Sequence, residues 1–343
     1  MSDKDNDSED SIKGSAFGIC FMRCVLSMLP SEAGAICYDD NTPDFEGVAL
    51  DFHPSPDDSF FGTENLMTAA KLAKDFAKFR SNINKKMGDK DWGGFDFNVC
   101  RAHFVEKLLL ESVQETSPIR QIVFCGVGQD YRGMRHGKAI KDHGAKVFEL
   151  DLGPMMTLRK TIKEEICEMN EEVSDELPET HELSIDFSVQ HVSEVLLACP
   201  AFDVAVPTLY LWEGVSYYLA PEAMASFLTN LADLMRRAPA TEQQHHRLFF
   251  DHLIDIPKLA TEEKDVPAQA MLDVFNKEVK EPLMSFLDFD QVEPYLKELK
   301  FSVQKQVAPP EMYTLYQAES IDSAYHLKES KYFGMVVAKP FLE

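Results

Sequence analysis

The sequence is short of positive charge. Its 343 residues hold 34 Lys and Arg against 58 Asp and Glu, for a formal net charge of −24. A field of that sign repels phosphate backbones and anionic headgroups, so neither nucleic acid nor a membrane is an expected partner of the chain as a whole. A long apolar run is also lacking. The stretch 16–29 is broken by Arg23 and falls short of the ~20 residues a membrane helix needs. The first ten residues carry five acids, where a secretory leader wants a basic start. The expectation is a cytoplasmic protein. Paired metal-ligand spacing is missing too. The seven cysteines (Cys20, Cys24, Cys37, Cys100, Cys125, Cys167, Cys199) are odd in number and scattered through apolar runs. Cys20 and Cys24 share a helical face, but no matching Cys/His pair lies nearby, so reduced thiols and no metal site are expected. There is no internal repeat.

What is present is an ordinary globular composition, 45% hydrophobic and 27% charged, organised in three stretches. Residues 1–13 read as a disordered acidic tail. Residues 14–118 read as a helical cover, with helices over Ser15–Leu29, Glu64–Asn84 and Phe97–Ser112 and a Pro/Gly/Asp-rich loop over Asp39–Phe61. From 119 to 343 strands and helices alternate. Strands are expected at Gln121–Cys125, Lys146–Leu150, Glu182–Phe187, Thr208–Trp212, Arg247–His252, Phe301–Val307 and Tyr332–Ala338. Helices fall at 155–174, Val189–Leu197 and Pro221–Arg236. That rhythm predicts an α/β fold, a doubly wound, mostly parallel sheet. The region 256–295 interrupts it as an insertion that could form a lid.

Ligands of such sheets bind where the strands end. After the first strand comes Cys125-Gly126-Val127-Gly128-Gln129-Asp130, glycines that let a ligand approach the backbone. The dinucleotide fingerprint would need a third glycine, and position 131 is Tyr. The second strand closes on Glu149-Leu150-Asp151, and Glu149 is the acid we expect to bind both hydroxyls of a ribose. After the third come Asp186 and Phe187, a carboxylate and a ring suited to an adenine; Asp186 could instead cap the next helix. After the fourth comes Trp212-Glu213-Gly214-Val215-Ser216-Tyr217-Tyr218-Leu219. Together these ends describe one nucleoside pocket.

The runs IVFCGVGQDYRGMR, KVFELDLGPMMTLRK and PTLYLWEGVSYYLAPEAM resemble, in order and spacing, the LGAGLDTRAYR, vfEvDlPxvxxxK and xEGvlxYLxxexx signatures of the leucine carboxyl methyltransferase superfamily. The resemblance extends over about residues 15–255. It implies a seven-stranded class I methyltransferase sheet whose last strand is antiparallel, with S-adenosylmethionine as cofactor. By the same resemblance Gly126 and Gly128 would face the cofactor's methionine part, Glu149 its ribose, and Asp186 with Phe187 its adenine, with Asp130 a further cofactor-binding residue. Glu213 would lie near its amino group. Arg101, in NVCRAHFVEKLL, would grip its carboxylate. Gln129 and Tyr131 depart from the usual Leu and Thr.

The sulfonium of such a cofactor makes methyl transfer an in-line displacement. A carboxylate acceptor (unperturbed pKa ~4) is already ionised at neutral pH and needs no base; a hydroxyl acceptor does, and Tyr218 and His252 are the candidate catalytic residues. The expected function is O-methyl transfer to a carboxylate or hydroxyl of a small molecule or peptide. An NAD-dependent dehydrogenase and a non-catalytic binding protein are the alternatives. Oligomeric state is not legible.

Overall fold

Strands that are buried on both faces read as continuous apolar runs, and QIVFC and TLYLW are of that kind. In the computed structural model, which describes residues 94–169, 171–308, 311 and 331–342, they become two central strands of a sheet. The expected tail 1–13, the helices Ser15–Leu29 and Glu64–Asn84, and the loop Asp39–Phe61 lie outside the described residues.

The strands are β1 (Gln121–Cys125), β2 (Lys146–Asp151), β3 (Thr180–Ser184), β4 (Thr208–Trp212), β5 (Arg247–Leu253), β6 (Phe301–Val307) and β7 (Phe333–Pro340). They form one sheet in the order β3-β2-β1-β4-β5-β7-β6. The first five run parallel, and β7 lies antiparallel between β5 and β6. Strand order reverses between β1 and β4, which opens the crevice where such sheets hold ligands. Six of the strands fall within two residues of the expected ends. The third does not: it runs Thr180–Ser184, not Glu182–Phe187. β3 is an edge strand with a half-exposed, polar sequence, THELS, so hydrophobicity pointed too late. It stops where the Asp186 carboxylate accepts the amide and hydroxyl of Ser188, at 2.8 and 2.5 Å, an Asx turn that diverts the backbone.

The helices are α1 (Gly94–Ser112), α2 (Arg132–Arg135), α3 (Gly137–Asp142), α4 (Gly153–Met169), α5 (Glu171–Glu176), α6 (Val192–Ala198), α7 (Pro221–Met235), α8 (Ala240–Gln243), α9 (Ile256–Thr261), α10 (Val266–Val274) and α11 (Val292–Glu298). The helix expected over 155–174 falls on α4 and α5, which lie on either side of residue 170, itself outside the described residues. Alternate strand residues feed two cores. Ile122, Phe124, Val147, Leu211 and Phe249 pack with α1, α4 and the segment around α9 and α10. Val123, Phe148, Leu150, Trp212 and Phe250 pack with α6, α7 and α11 on the other face. In α7, Pro221 opens the helix and Met224, Phe227, Leu228, Leu231 and Met235 repeat at helical spacing on its buried side. Each such side chain contributes ~1.5–3 kcal/mol on burial. Among the described residues no helix is long and apolar enough to cross a membrane.

Candidate functional site

The carboxyl ends of β1, β4 and β5 converge on a chain of five charged side chains. Gly126 and Gly128 carry the turn out of β1 with φ of 79° and 49°, a region that favours glycine. The amides of Gly126 and Val127 donate to the Leu150 carbonyl of β2. Two residues on, the Asp130 carboxylate accepts the Arg132 amide at 2.9 Å and pairs with the Arg132 guanidinium at 2.8 Å. Arg132 also donates to Glu213, just past β4. The other Glu213 oxygen accepts Arg101 Nε from α1 at 3.0 Å. Arg101 Nη1 donates to Asp251 of β5 at 2.7 Å and to the Tyr217 hydroxyl at 3.2 Å. Asp251 closes the chain by accepting the Gly214 amide at 2.7 Å.

Burial works against both guanidinium charges. Asp251, Tyr217 and Glu213 around Arg101, and Asp130 and Glu213 around Arg132, outweigh it and hold both arginines well above their ordinary values. Burial pushes the Asp251 carboxyl up, against the pull of Arg101 and the Gly214 amide. Two nitrogens are left over. Arg132 Nη1 is buried with no partner. Arg101 makes no hydrogen bond through Nη2 among the described residues. Beside that guanidinium is Gly214, at φ 72°, where a Cβ would sit 3.4 Å from Nη1 and 3.6 Å from Nη2. The glycine leaves a space that a side chain would fill.

At the end of β2 the two acids have different surroundings. Glu149 lies two residues short of the strand end with one oxygen on Arg159 at 2.9 Å and the other on Lys163 at 3.0 Å. Burial would raise it, but those two cations outweigh the effect and hold it below the ordinary carboxylate range. Asp151 is the last residue of the strand. Among the described residues it accepts only backbone amides, Gly128 at Oδ2 and Leu152 at Oδ1, both at 2.7 Å, and burial pushes it up. Each carboxylate thus accepts one hydrogen bond per oxygen; they differ in that Glu149, 1% exposed, is paired with two cations, whereas Asp151, 9% exposed at the strand end, meets neutral amides.

The leucine carboxyl methyltransferase sequence model matches residues 52–232, more than half of the chain. The chain belongs to the leucine carboxyl methyltransferase family. By that membership it falls among the S-adenosylmethionine-dependent methyltransferases. A Streptomyces avermitilis protein provisionally named an S-adenosyl-L-methionine-dependent methyltransferase is 26% identical over 134 residues, 39% of this chain and 43% of that protein. The match therefore spans less than half of that relative. A crystal structure of a duf574 family protein from Streptomyces avermitilis shares 11% identity with a TM-score of 0.50, covering 83% of this chain and 95% of that one. That likeness is one of fold. A Thermobifida fusca protein, provisionally named a methyltransferase, gives 16% identity and a TM-score of 0.49 over 84% and 93% of the two chains.

Within this methyltransferase-family chain, then, Arg101, Asp130 and Glu213 come together in one cluster, with Gly126 and Gly128 on the adjoining turn. Asp186 and Phe187 lie apart, half-buried, in the loop after β3. Asp186 caps its own turn, and Phe187 meets Phe227 edge-on at 5.4 Å between ring centres. His252 alternates with Asp251 along β5 and so falls on the opposite face. Its Nδ1 donates to the Leu287 carbonyl at 2.8 Å, Nε2 abuts Gly334, and burial lowers its pKa to about 4. Tyr218 packs toward Phe275, and burial holds its hydroxyl well above the usual range. It is the neighbouring Tyr217 that reaches Arg101. Sequence reasoning did not single out Arg132, Asp151, Tyr217 or Asp251. A signal existed for Asp251, an acid in the otherwise apolar run RLFFDHL, but the adjacent histidine drew the attention.

Proposed function

We propose that the chain is an active S-adenosylmethionine-dependent O-methyltransferase whose acceptor is a carboxylate of a small molecule or of a peptide. The observation that carries this reading is the buried Arg132–Glu213–Arg101 chain with its two guanidinium nitrogens that have no partner among the described residues. Such a donor set suits the zwitterionic amino-acid end of the cofactor, and the space kept open by Gly214 lies against it. Arg101, offering Nη2, would hold the carboxylate end, since its other nitrogens are committed to Glu213, Asp251 and Tyr217. Asp151, rather than Glu149, would hold the ribose, because it ends the strand, is the more exposed of the two and makes no ion pair among the described residues, whereas Glu149 is paired with Arg159 and Lys163. Asp186 and Phe187 would border the adenine.

When bound, the cofactor supplies an electrophilic methyl group on a sulfonium. The protein's task is then to orient an acceptor oxygen and to exclude water. The segment following α10 packs onto the same turn: the amides of Met284 and Ser285 donate to the Tyr217 carbonyl, and the Ser285 hydroxyl donates to the Leu219 carbonyl. This supports a covering role for the insertion 256–295. The titratable groups at the ends of β4 and β5 favour an acceptor that is already ionised. Burial raises both tyrosines and lowers His252 to about 4, while Glu213 and Asp251 are paired with arginines. None of these is set to take a proton from a hydroxyl near neutral pH.

The test is to incubate the protein with methyl-labelled cofactor and a set of small and peptide carboxylates, then to treat the products with base. Carboxyl methyl esters release label as methanol; methyl ethers and methylamines do not. Base-stable label would overturn the carboxylate reading. Asp151→Asn should weaken cofactor binding about tenfold, through the loss of one charged hydrogen bond; unchanged affinity would remove Asp151 from the site.

A further inference from the structure

Arg159 lies on α4, wholly buried, and grips two separate pieces of chain. Nη1 donates to the Gly128 carbonyl at 2.7 Å, and Nη2 to Glu149 Oε1 at 2.9 Å. Its guanidinium carbon lies 4.7 Å from the centre of the Tyr131 ring. The Tyr131 hydroxyl in turn donates to Gln129 Oε1, and Gln129 Nε2 meets Met155 Sδ at 3.2 Å. Gln129 and Tyr131 are the two positions of the glycine turn whose residues depart from the family signature. Here they form the inner lining of that turn, with the arginine stacked upon them.

Stability alone is a poor account of this residue. A buried ion pair contributes little net free energy compared with apolar side chains of similar volume. Arg159 moreover leaves its Nε buried without a partner, which costs further. What the arginine achieves is local and geometric. Gly128 sits at φ 49°, with its amide on Asp151 Oδ2 at 2.7 Å and its carbonyl on Arg159. Both sides of one peptide-bearing residue are thereby fixed, one to the acid that ends β2 and one to a cation anchored on the strand interior. Glu149 is itself held by Lys163, which bridges to Glu182 of β3 at 2.7 Å, so the anchor is tied across β2 and β3.

We propose that Arg159 is a positioning residue for cofactor binding: by joining the Gly128 carbonyl to Glu149 it fixes the glycine turn and, through the Gly128 amide, the direction of the Asp151 carboxylate. The inference rests on the cofactor reading above. It gives Glu149 a task one step removed from the ligand, as the anchor of the arginine.

The experiment uses the full chain as wild type, Arg159→Met, Arg159→Lys and Glu149→Gln. Calorimetry with S-adenosylmethionine and S-adenosylhomocysteine reads affinity and stoichiometry. Hydrogen exchange of peptides covering 126–131 in the ligand-free protein reads the turn directly. Arg159→Met keeps the bulk and should bind both compounds about tenfold more weakly at full stoichiometry, the loss expected when a binding surface is no longer preorganised. Its 126–131 amides should exchange faster. Arg159→Lys, able to reach one acceptor at a time, should recover part of both effects. Glu149→Gln retains a neutral acceptor for Arg159 and should show a smaller loss in the same direction, which keeps the test in hand should Arg159→Met fold poorly. A merely structural residue would lower the folded fraction, and hence stoichiometry, while leaving affinity unchanged. That outcome, with wild type binding both compounds, overturns this inference alone. A wild-type chain that binds neither compound overturns the cofactor reading and this inference with it.

Discussion

Gly126 is the sharpest place to separate packing from ligand contact. Its φ is 79°, and an added Cβ would lie 2.3 Å from Val215 Cγ2, far inside contact distance. Gly126→Ala therefore meets two penalties before any ligand is considered. The left-handed backbone costs an alanine ~1–2 kcal/mol, and forcing a methyl group into filled space costs ~1–3 kcal/mol. A loss of ~2–5 kcal/mol is expected, a large share of the ~5–15 kcal/mol that holds a typical domain folded. Urea unfolding of the single variants and of Gly126→Ala/Val215→Ala measures the parts separately. Removing Cγ2 relieves the overlap and leaves the backbone term, so the double variant should be more stable than the sum of the singles by ~1–3 kcal/mol. Calorimetry on the same proteins asks whether cofactor affinity returns with the packing. A Gly126→Ala protein of wild-type stability, or an additive cycle with Val215→Ala, would refute the argument and leave Gly126 as a glycine required only by the ligand.

Other expectations follow from the same geometry. Asp251→Asn keeps an acceptor for the Gly214 amide but removes a counter-charge from buried Arg101; urea unfolding should show a loss of ~3–5 kcal/mol, and a loss below 1 kcal/mol would mean that Arg101 is satisfied by Glu213. Gly214→Ala combines φ 72° with a Cβ 3.4 Å from Arg101 Nη1, so it should cost ~1–2 kcal/mol of stability and weaken S-adenosylmethionine binding in calorimetry; unchanged affinity would show that this space faces no ligand. His252 titrates at about 4 in the folded chain because burial disfavours its cation, against ~6.5 when unfolded. The unfolded state thus takes up the proton first as pH falls, and up to ~3 kcal/mol of stability, fully present above ~6.5, is lost between ~6.5 and about 4. His252→Asn, whose amide can still donate to Leu287, should flatten that part of the profile, and an unaltered slope would show that other groups set it.

The central strands were legible because β1 and β4, buried on both faces, have to be apolar throughout, and the glycines after β1 because few other residues accept their backbone conformation. The edge strand β3 was misjudged for the converse reason: one side meets solvent, so THELS carries almost no hydrophobic signal. Arg101 and Glu213 were legible only through resemblance. Nothing in their local sequence says that residues 112 positions apart form an ion pair. Glu149 and Asp151 point to the same side of one strand, two residues apart, and sequence spacing does not decide between them. The proposed preference for Asp151 draws on α4, where Arg159 and Lys163 stand one helical turn apart and both reach Glu149. His252 attracted attention as a histidine near a strand end, but the alternation of β5 sends it to the face opposite Asp251.

The remaining question about the cluster is why the chain buries so much charge at this one edge of the sheet. Arg101, Arg132 and Asp251 are all but inaccessible, and each was taken out of water at a cost that pairing only roughly offsets. Apolar residues of similar size would serve the core at least as well. The adjoining turns carry Gly126, Gly128 and Gly214, all at positive φ, which contribute no side-chain burial of their own. Stability therefore does not explain the composition of this edge. On the proposed reading preorganisation does: each guanidinium is held by carboxylates that follow or lie on different strands, so the nitrogen with no partner among the described residues would already be directed before a ligand arrives, and the entropy of ordering it would be spent in folding rather than in binding. The same logic accounts for Arg159 beneath the glycine turn. It would also fit the position of the cluster, since strand order reverses between the neighbouring β1 and β4, and the segments that follow them meet α1 and β5 there.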